Sequence, residues 1–252
     1  MEEQYVQAMT IAGSDSDGSA GMQADMHTFF TRSVYGVSVM TACVAGNSYG
    51  IGASVTLPKD TMDVVQMVLA GKVNKGLVAY LSALGGKAIG LSGIDGNMIQ
   101  VHTKNEKLGL VGEIDHIDTG VIDSALSAGL IPVISSVGID SQGQPHNINA
   151  DTAATKIAAA LNAECLVFMS NIDGVMKDPK DKDSLLHKLT VVETEALKKD
   201  GTINGGMIPK VDACTDAIKD GVKKVFIING EVPHALLIEL LTNEGLGTMF
   251  VE

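Results

Sequence analysis

The amino-acid sequence predicts an α/β protein, a three-layer αβα sandwich around a mainly parallel central sheet. Two observations predict this class. Short β-rich apolar runs alternate with segments whose apolar residues recur at helical spacing. Some of the runs, such as Ile131–Ile134, are apolar at consecutive positions, which is typical of strands that helices cover on both faces.

The first predicted elements surround a glycine-rich turn. Tyr5–Ala12 predicts a strand, Gly13–Gly21 a loop and Met22–Arg32 a helix, and Val37–Val44 predicts a second strand. Such a loop lets backbone N–H groups approach an anion at the positive end of a helix dipole. A structural turn has the same composition, so the loop alone identifies no ligand.

The alternation continues to the end of the chain. Helical spacing predicts helices at Thr61–Leu69, Leu77–Leu84, Val121–Ala128, Ala150–Leu161, Thr190–Lys199, Lys210–Asp220 and Pro233–Leu241. The intervening apolar runs predict strands at Ala88–Leu91, Ile131–Ile134, Cys165–Met169, Lys224–Ile228 and Gly247–Val251. The plausible linker is Gly50–Asp60, so the sequence predicts a division into residues 1–60 and 61–252.

Composition argues against several partners. The chain has 252 residues and a net charge of −12, which disfavours nucleic acid and anionic membranes as partners. Its apolar runs are shorter than the ~20 residues of a membrane-spanning helix, and from its acidic, polar first residues we expect no signal peptide. The cysteines and histidines lack metal-ligand spacing, so we expect reduced thiols, a cytoplasmic location and no protein metal site.

The N-terminal segment has a specific resemblance. The runs AGSDSDGSAGMQAD and VYGVSVMTACVAGNSYG resemble the start of hydroxymethylpyrimidine kinases and pyridoxal kinases of the ribokinase-like fold, over about residues 5–58. In those enzymes this region holds the substrate ring. Their later GTG-type anion-hole turn does not occur in this sequence, so the resemblance stops before the catalytic part.

The rest of the chain resembles a different family. The runs TMDVVQMVLAGKVNK, AIGLSGIDG, GLIPVISSVGID, NINADTAA, SNIDGV, GGMIPKVDA and GLGT follow one another between residues 61 and 248. Together they resemble the acetylglutamate kinases of the amino acid kinase family, over about residues 59–252. The resemblance implies phosphorylation of the side-chain carboxylate of N-acetyl-L-glutamate by ATP, with Mg²⁺ as the partner of ATP, in arginine biosynthesis. It also implies a homodimer.

The resemblance assigns roles to three residues that also have simpler interpretations. Lys210 matches the lysine that stabilises charge in the transition state, although it could be an ordinary helix-terminal lysine. Asp151 matches an aspartate that orients the catalytic lysines, and we also expect it to be a helix N-cap. Asn147 matches the asparagine that binds the acetylglutamate backbone, although asparagine is common in turns.

The resemblance and the fold place ATP at the end of a parallel strand. Residues directly after the predicted strand Cys165–Met169 lie where α/β sheets bind ligands. The residues assigned to ATP are Ser170, Asn171, Ile172, Asp173, Gly174, Val175, Thr202, Ile203, Asn204 and Met207.

Three elements of the acetylglutamate kinases do not occur in this sequence. These are the K-x-G-G of the first strand, the H-G-G-G loop and the G-L-R-V-T hairpin; Arg32 is the sole arginine and Lys59 the first lysine. Loss of preorganised charge from a phosphoryl clamp slows transfer, by roughly 10²–10³-fold per group. Three hypotheses follow: a protein of acetylglutamate kinase type, weakly active or inactive, with an intact ATP half; a hydroxymethylpyrimidine or pyridoxal kinase; and a catalytically inactive nucleotide-binding hybrid.

Overall fold

The computed structural model describes residues 7–14, 35–43, 57–178, 181–242 and 245–252. The predicted helix Met22–Arg32 and most of the predicted glycine-rich loop lie outside these ranges. Strands are β1 (Gln7–Ser14), β2 (Tyr35–Cys43), β3 (Ala88–Ser92), β4 (Ile99–Thr103), β5 (Gly112–Ile117), β6 (Ile131–Ser135), β7 (Val137–Ile139), β8 (Pro145–Asn147), β9 (Cys165–Ser170), β10 (Lys188–Thr190), β11 (Lys224–Asn229) and β12 (Thr248–Val251). Helices are α1 (Lys59–Gln66), α2 (Asn74–Ala83), α3 (Gly120–Ser127), α4 (Ala150–Ala160), α5 (Val191–Lys199), α6 (Met207–Lys219) and α7 (Ala235–Leu241).

The described strands form two sheets. The larger has eight strands in the order β10-β12-β11-β9-β1-β2-β6-β3, and its neighbours are parallel except for the β11–β12 pair. The smaller has the order β5-β4-β7-β8, with antiparallel hairpins at both ends. The larger sheet confirms the predicted α/β class with a mainly parallel sheet.

Alternate residues of the central strands enter two separate cores. In β9, Leu166 and Phe168 belong to a cluster that includes buried residues of α4 and α6. The intervening Val167 and Met169 belong to a second cluster, on the side of α1 and α2. Both faces of the sheet are therefore covered, which explains the consecutive apolar residues of the strand and confirms the three-layer architecture.

The first two strands occupy the middle of the larger sheet. Thr10 and Ile11 of β1 pair with Val167 and Phe168 of β9, and β2 pairs with β6. Strands β1 and β2 therefore complete the sheet between the strands of residues 165–251 and those of residues 88–135. The division at residue 60 does not coincide with a division of this sheet, and the assignment of residues 1–60 and 61–252 to two segments of different resemblance stays a prediction.

A buried asparagine fixes the long N-terminal helix pair against the sheet. Residues Met67–Val73 form a π-helical stretch between α1 and α2. Asn74 begins α2, and its buried Nδ2 donates to the carbonyls of Leu91 at 3.0 Å and Val133 at 2.8 Å. Since these carbonyls belong to β3 and β6, the amide joins the helix to the edge of the sheet. Among the helices that the structure describes, none combines the length and apolarity that a membrane crossing requires.

Candidate active site

A cavity lies where two parallel strands end. Strands β9 and β11 are neighbours in register, with Asn229 opposite Ser170 at their carboxyl ends. The chain leaves β9 at Ser170 and forms one wall of a cavity of about 320 Å³. The residues lining this cavity are Asn171, Ile172, Asp173, Gly174, Val175, Met176, Thr202, Ile203, Asn204 and Met207. The carboxyl edge of a parallel sheet is where α/β proteins bind ligands.

The structure brings together the residues that the sequence assigned to ATP. All of them except Ser170 line this one cavity, and Met176 adds to its wall. They come from two segments far apart in the chain, the loop after β9 and the connection from α5 to α6. Apolar side chains such as Ile172, Val175 and Ile203 give the cavity apolar surface beside a few polar groups, the usual composition of a small-molecule site.

The loop after β9, residues 171–175, is held at two points. Asn229 Nδ2 donates to Asp173 Oδ1 at 2.6 Å, and the Val175 N–H donates to Thr248 Oγ1 at 2.8 Å. Gly174 lies between them with φ of +139°, and a Cβ at this position would lie 2.5 Å from Thr248 Oγ1. Glycine is therefore required here both by the backbone conformation and by the close approach of β12.

The opposite wall is a turn between two helices. The Ile203 N–H donates to the Leu197 carbonyl at 2.9 Å, and Asn204 Nδ2 donates to the Gly201 carbonyl at 2.8 Å. The Thr202 N–H donates to Asp200 Oδ1 at 2.9 Å, and this bond holds the pKa of the Asp200 carboxyl below its usual value. Residues 202–204 are thus fixed by local hydrogen bonds.

Lys210 and Asp151 lie close to each other next to the cavity. Met207, the first residue of α6, lines the cavity, and Lys210 follows it by one turn on the same helix. Lys210 Nζ lies 3.9 Å from Asp151 Oδ2, and the two side chains are 29% and 25% exposed. The structure therefore brings together the two residues that the sequence singled out for catalysis, from two different helices.

The prediction that Asp151 is an N-cap was wrong. The N-cap of α4 is Asn149, whose side-chain Oδ1 accepts from the Thr152 N–H at 3.0 Å. Asp151 lies inside the first turn of the helix, where a carboxylate is stabilised by the helix dipole without capping the backbone. Its side chain is therefore available to Lys210.

The packing of α4 against α6 sets the spacing of this pair. Thr155 Oγ1 on α4 donates to the Ala213 carbonyl on α6 at 3.3 Å. Cys214, one turn after Lys210, is fully buried, and burial raises the pKa of its thiol, with Asp151 adding to the rise and Lys210 opposing it. A protonated, inert thiol thus packs beneath the pair.

An ion pair links α5 to α6 near the same place. Lys198 Nζ lies 2.7 Å from Asp212 Oδ1 and 2.7 Å from Glu195 Oε1. Partial burial acts to lower the pKa of Lys198, but the hydrogen bonds to both carboxylates outweigh it, so the pKa is raised. This ion pair therefore holds together the two helices, α5 and α6, whose connection lines the cavity.

Asn147 lies in the smaller sheet and is not among the residues that line this cavity. It ends β8, and its N–H donates to the Leu110 carbonyl at 2.9 Å. The preceding His146 is buried, with Nε2 3.2 Å from Asp140 Oδ2. The two-residue step from Asn147 to the N-cap Asn149 places it at the entrance to the helix that carries Asp151.

Two residues that contact the cavity loop were missed in the sequence. Asn229 follows the apolar run Val225–Ile228 directly, just as Ser170 follows its own strand. A polar residue at the carboxyl end of a parallel strand was therefore the signal that could have found it. Thr248 ends the GLGT run quoted for the resemblance, but no role followed from it, because its contact with the loop depends on β12 lying antiparallel to β11.

The fold and site define an α/β protein with a cavity at the carboxyl edge of its sheet and a lysine–carboxylate pair beside it. The model of the amino acid kinase family matches residues 19–229. The chain belongs to the amino acid kinase family. The match includes part of the segment that resembles hydroxymethylpyrimidine kinases, and that second resemblance stays a prediction.

Comparison with known proteins gives the same family. Over 193 residues, 76% of the chain, the sequence is 49% identical to a protein named acetylglutamate kinase from Brachyspira hyodysenteriae and covers 67% of it. It is 51% identical to one of the same name from Clostridium kluyveri, of which it covers 68%. The crystal structure of smu.665 from Streptococcus mutans UA159 superposes with a TM-score of 0.73 at 25% identity, over 97% of this chain and 98% of that one. The chain thus spans about two thirds of the length of these acetylglutamate kinases.

Proposed function

We propose that this chain transfers the γ-phosphoryl group of ATP to the side-chain carboxylate of N-acetyl-L-glutamate. The observation that carries the proposal is the Lys210–Asp151 pair, one helical turn from the wall of the cavity. The name shared by the relatives at 49% and 51% identity supports the choice of acceptor. Such a reaction would belong to arginine biosynthesis.

The chemistry needs positioned charge rather than a strong base. A carboxylate acceptor is already ionised near neutral pH, so no proton has to be removed before its oxygen attacks the γ-phosphorus. The bond from the γ-phosphorus to the bridging oxygen breaks, ADP leaves, and an acyl phosphate forms. Catalysis then consists of aligning two anions and stabilising the transferring phosphoryl group.

Lys210 supplies the charge in this proposal and Asp151 orients it. The 3.9 Å separation is longer than a hydrogen bond, so Asp151 attracts the ammonium without occupying its N–H groups. Those N–H groups remain able to donate to phosphoryl oxygens. Asn147 is proposed to bind the acetylglutamate backbone at the entrance to α4.

Magnesium fits the proposal as a partner of the nucleotide. In the described ranges of the chain, no group of three or more histidine, cysteine or acidic residues could hold a metal ion. Mg²⁺ commonly binds through substrate phosphates with one or two carboxylates, so the triphosphate would be its main ligand here. When bound, the ion would neutralise developing charge on the phosphates.

A product-specific assay tests the proposal. ATP would be supplied with N-acetylglutamate, hydroxymethylpyrimidine or pyridoxal, and ADP release would be measured together with trapping of acyl phosphate by hydroxylamine. We expect trapped product with N-acetylglutamate alone. ADP release with either ring substrate, which would form a phosphate ester that hydroxylamine does not trap, would instead support the ribokinase-like hypothesis. ATP binding by calorimetry without ADP release would support the inactive hybrid. Sedimentation of the same preparation would test the predicted homodimer.

A further inference from the structure

We propose that Asn229 is a positioning residue for the nucleotide, because it holds Asp173 and with it the cavity loop 171–175 in place. The identity of the nucleotide rests on the proposed function. The hydrogen bond between Asn229 and Asp173 is independent of that function, since it joins β11 to the loop between β9 and β10 in the structure itself.

The amide orientation of Asn229 is determined by contacts on both sides. Its Oδ1 accepts from the Glu231 N–H at 2.9 Å, which directs Nδ2 toward Asp173 Oδ1 at 2.6 Å. The neighbouring Gly230 N–H donates to the Ser170 carbonyl at 2.8 Å. Asn229 therefore joins the carboxyl ends of β9 and β11 to the loop that leaves β9.

This hydrogen bond holds the middle of the cavity wall. The loop is anchored at one end where β9 finishes at Ser170, and at the other where Val175 meets Thr248. Asp173 lies between these ends, next to Gly174 at φ +139°. Because glycine adds conformational freedom, loss of the Asp173 anchor would allow the wall to take several shapes.

The bond also fixes a negative charge beside a site for a polyanion. A donor bonded to a carboxylate forms a charge-assisted hydrogen bond, which is stronger than a neutral one. A fixed Asp173 carboxylate cannot swing toward the nucleotide phosphates and repel them. Asn229 thus acts on ATP through Asp173 rather than by touching it.

The test is Asn229→Asp in the full chain. This change keeps an acceptor for the Glu231 N–H but replaces the donor to Asp173 with a second carboxylate. We expect at least about tenfold weaker ATP binding by calorimetry, a matching rise in the KM for ATP and an unchanged KM for N-acetylglutamate. Amide hydrogen exchange in residues 171–175 should be faster in the nucleotide-free protein.

A double variant and a control separate positioning from general destabilisation. In Asn229→Asp with Asp173→Asn, the amide and carboxylate exchange places, so slow exchange and ATP affinity should recover. Asn162→Asp adds the same charge at an exposed residue remote from the cavity and should change neither.

Each outcome decides the proposal. Wild-type exchange in residues 171–175 and wild-type ATP affinity in Asn229→Asp would overturn it, as would a double variant as defective as the single one. If the wild-type chain binds no ATP, the proposed function fails, and the exchange comparison in the nucleotide-free protein still decides whether Asn229 positions the loop.

Discussion

At the scale of single residues, Lys210 is the cation that the site places beside Asp151 and the cavity. Lys210→Ala removes the charge proposed to stabilise the transferring phosphoryl group, so turnover should fall by roughly 10²–10³-fold or more. Because the Lys210–Asp151 pair is partly exposed to solvent and, at 3.9 Å, longer than a hydrogen bond, the free energy of unfolding should change little. Initial rates of acyl phosphate formation and urea unfolding measure both quantities.

Lys219 on the same helix is the matched control for this change. It lies near the C-terminal end of α6, and its Nζ is 3.8 Å from Asp216. Lys219→Ala removes the same charge away from the cavity and should leave turnover within a factor of about two. Equal turnover in Lys210→Ala and wild type would remove Lys210 from the mechanism.

A second residue-scale prediction concerns Cys165 at the start of β9. Burial raises the pKa of its thiol to about 12 from 9.0, against the opposing charge of Lys224. The unfolded chain therefore loses this proton at lower pH than the folded chain, so the stability contribution is complete below pH 9.0 and declines as pH rises toward 12. Near pH 10 the loss should be about 1 kcal/mol.

Comparison with Cys165→Ala isolates this effect from other alkaline titrations. Urea unfolding at pH 8 and pH 10 should show a smaller stability loss in the variant than in wild type, because the variant has no thiol to ionise at this position. Parallel losses in the two proteins would show that the folded-state pKa of Cys165 is close to its ordinary value.

At the scale of elements, the N-terminus of α4 connects a helix cap to the site. Asn149 caps the first turn, and Asp151 lies in that turn. Asn149→Ala should cost about 1 kcal/mol of stability and also lower turnover, because fraying of the turn releases Asp151 from Lys210. Unfolding and initial-rate measurements on one preparation check both effects.

Thr190 provides a control with a comparable cap at another helix. Its Oγ1 accepts from the Glu193 N–H at 3.2 Å in the capping box of α5. Thr190→Ala should have a similar stability cost with unchanged turnover. If both variants lose turnover in proportion to stability, the cap of α4 has no specific effect on Asp151.

How far the sequence predicts these elements depends on their length and surroundings. Long segments with a clear apolar period, such as α4 and β9, were predicted within a few residues of their observed bounds. Strands β4, β5, β7, β8 and β10 were missed, and these include every strand of the smaller sheet. Strands β7, β8 and β10 have three residues each, which is too few to show a period. The cap of α4 was misplaced by two residues because Asn149 and Asp151 are both good N-caps.

The residues that line the cavity were easier to predict from the sequence than the helix contacts beside it. The loop after β9 follows from the general position of ligands at strand ends, and its residues line the cavity. The contact between α4 and α6 that joins Asp151 to Lys210 could not be derived from periodicity, since it depends on how two helices pack on one face of the sheet. The family resemblance supplied that pairing instead.

At the scale of the whole molecule, the position of β1 and β2 decides how the two parts of the chain cooperate. On one side of β1 and β2 lie β9, β11, β12 and β10, and the cavity is lined by residues between β9 and β11 in the chain. On the other side lie β6 and β3. The larger sheet is therefore continuous only through residues 7–14 and 35–43. The segment that contains β1 and β2 is therefore required to complete the sheet, whether or not it also binds a ligand.

Removal of residues 1–56 tests this requirement. Without β1 and β2, strands β9 and β6 would lose their neighbours and expose unpaired backbone groups and apolar side chains at two new sheet edges. We expect the truncated chain to aggregate or to lose its cooperative thermal transition, measured by circular dichroism. Supplying residues 1–56 as a separate polypeptide during refolding should restore part of the folded protein, because the missing strands can still pair. A truncated chain that unfolds cooperatively at the wild-type midpoint would show instead that residues 57–252 fold as an independent domain.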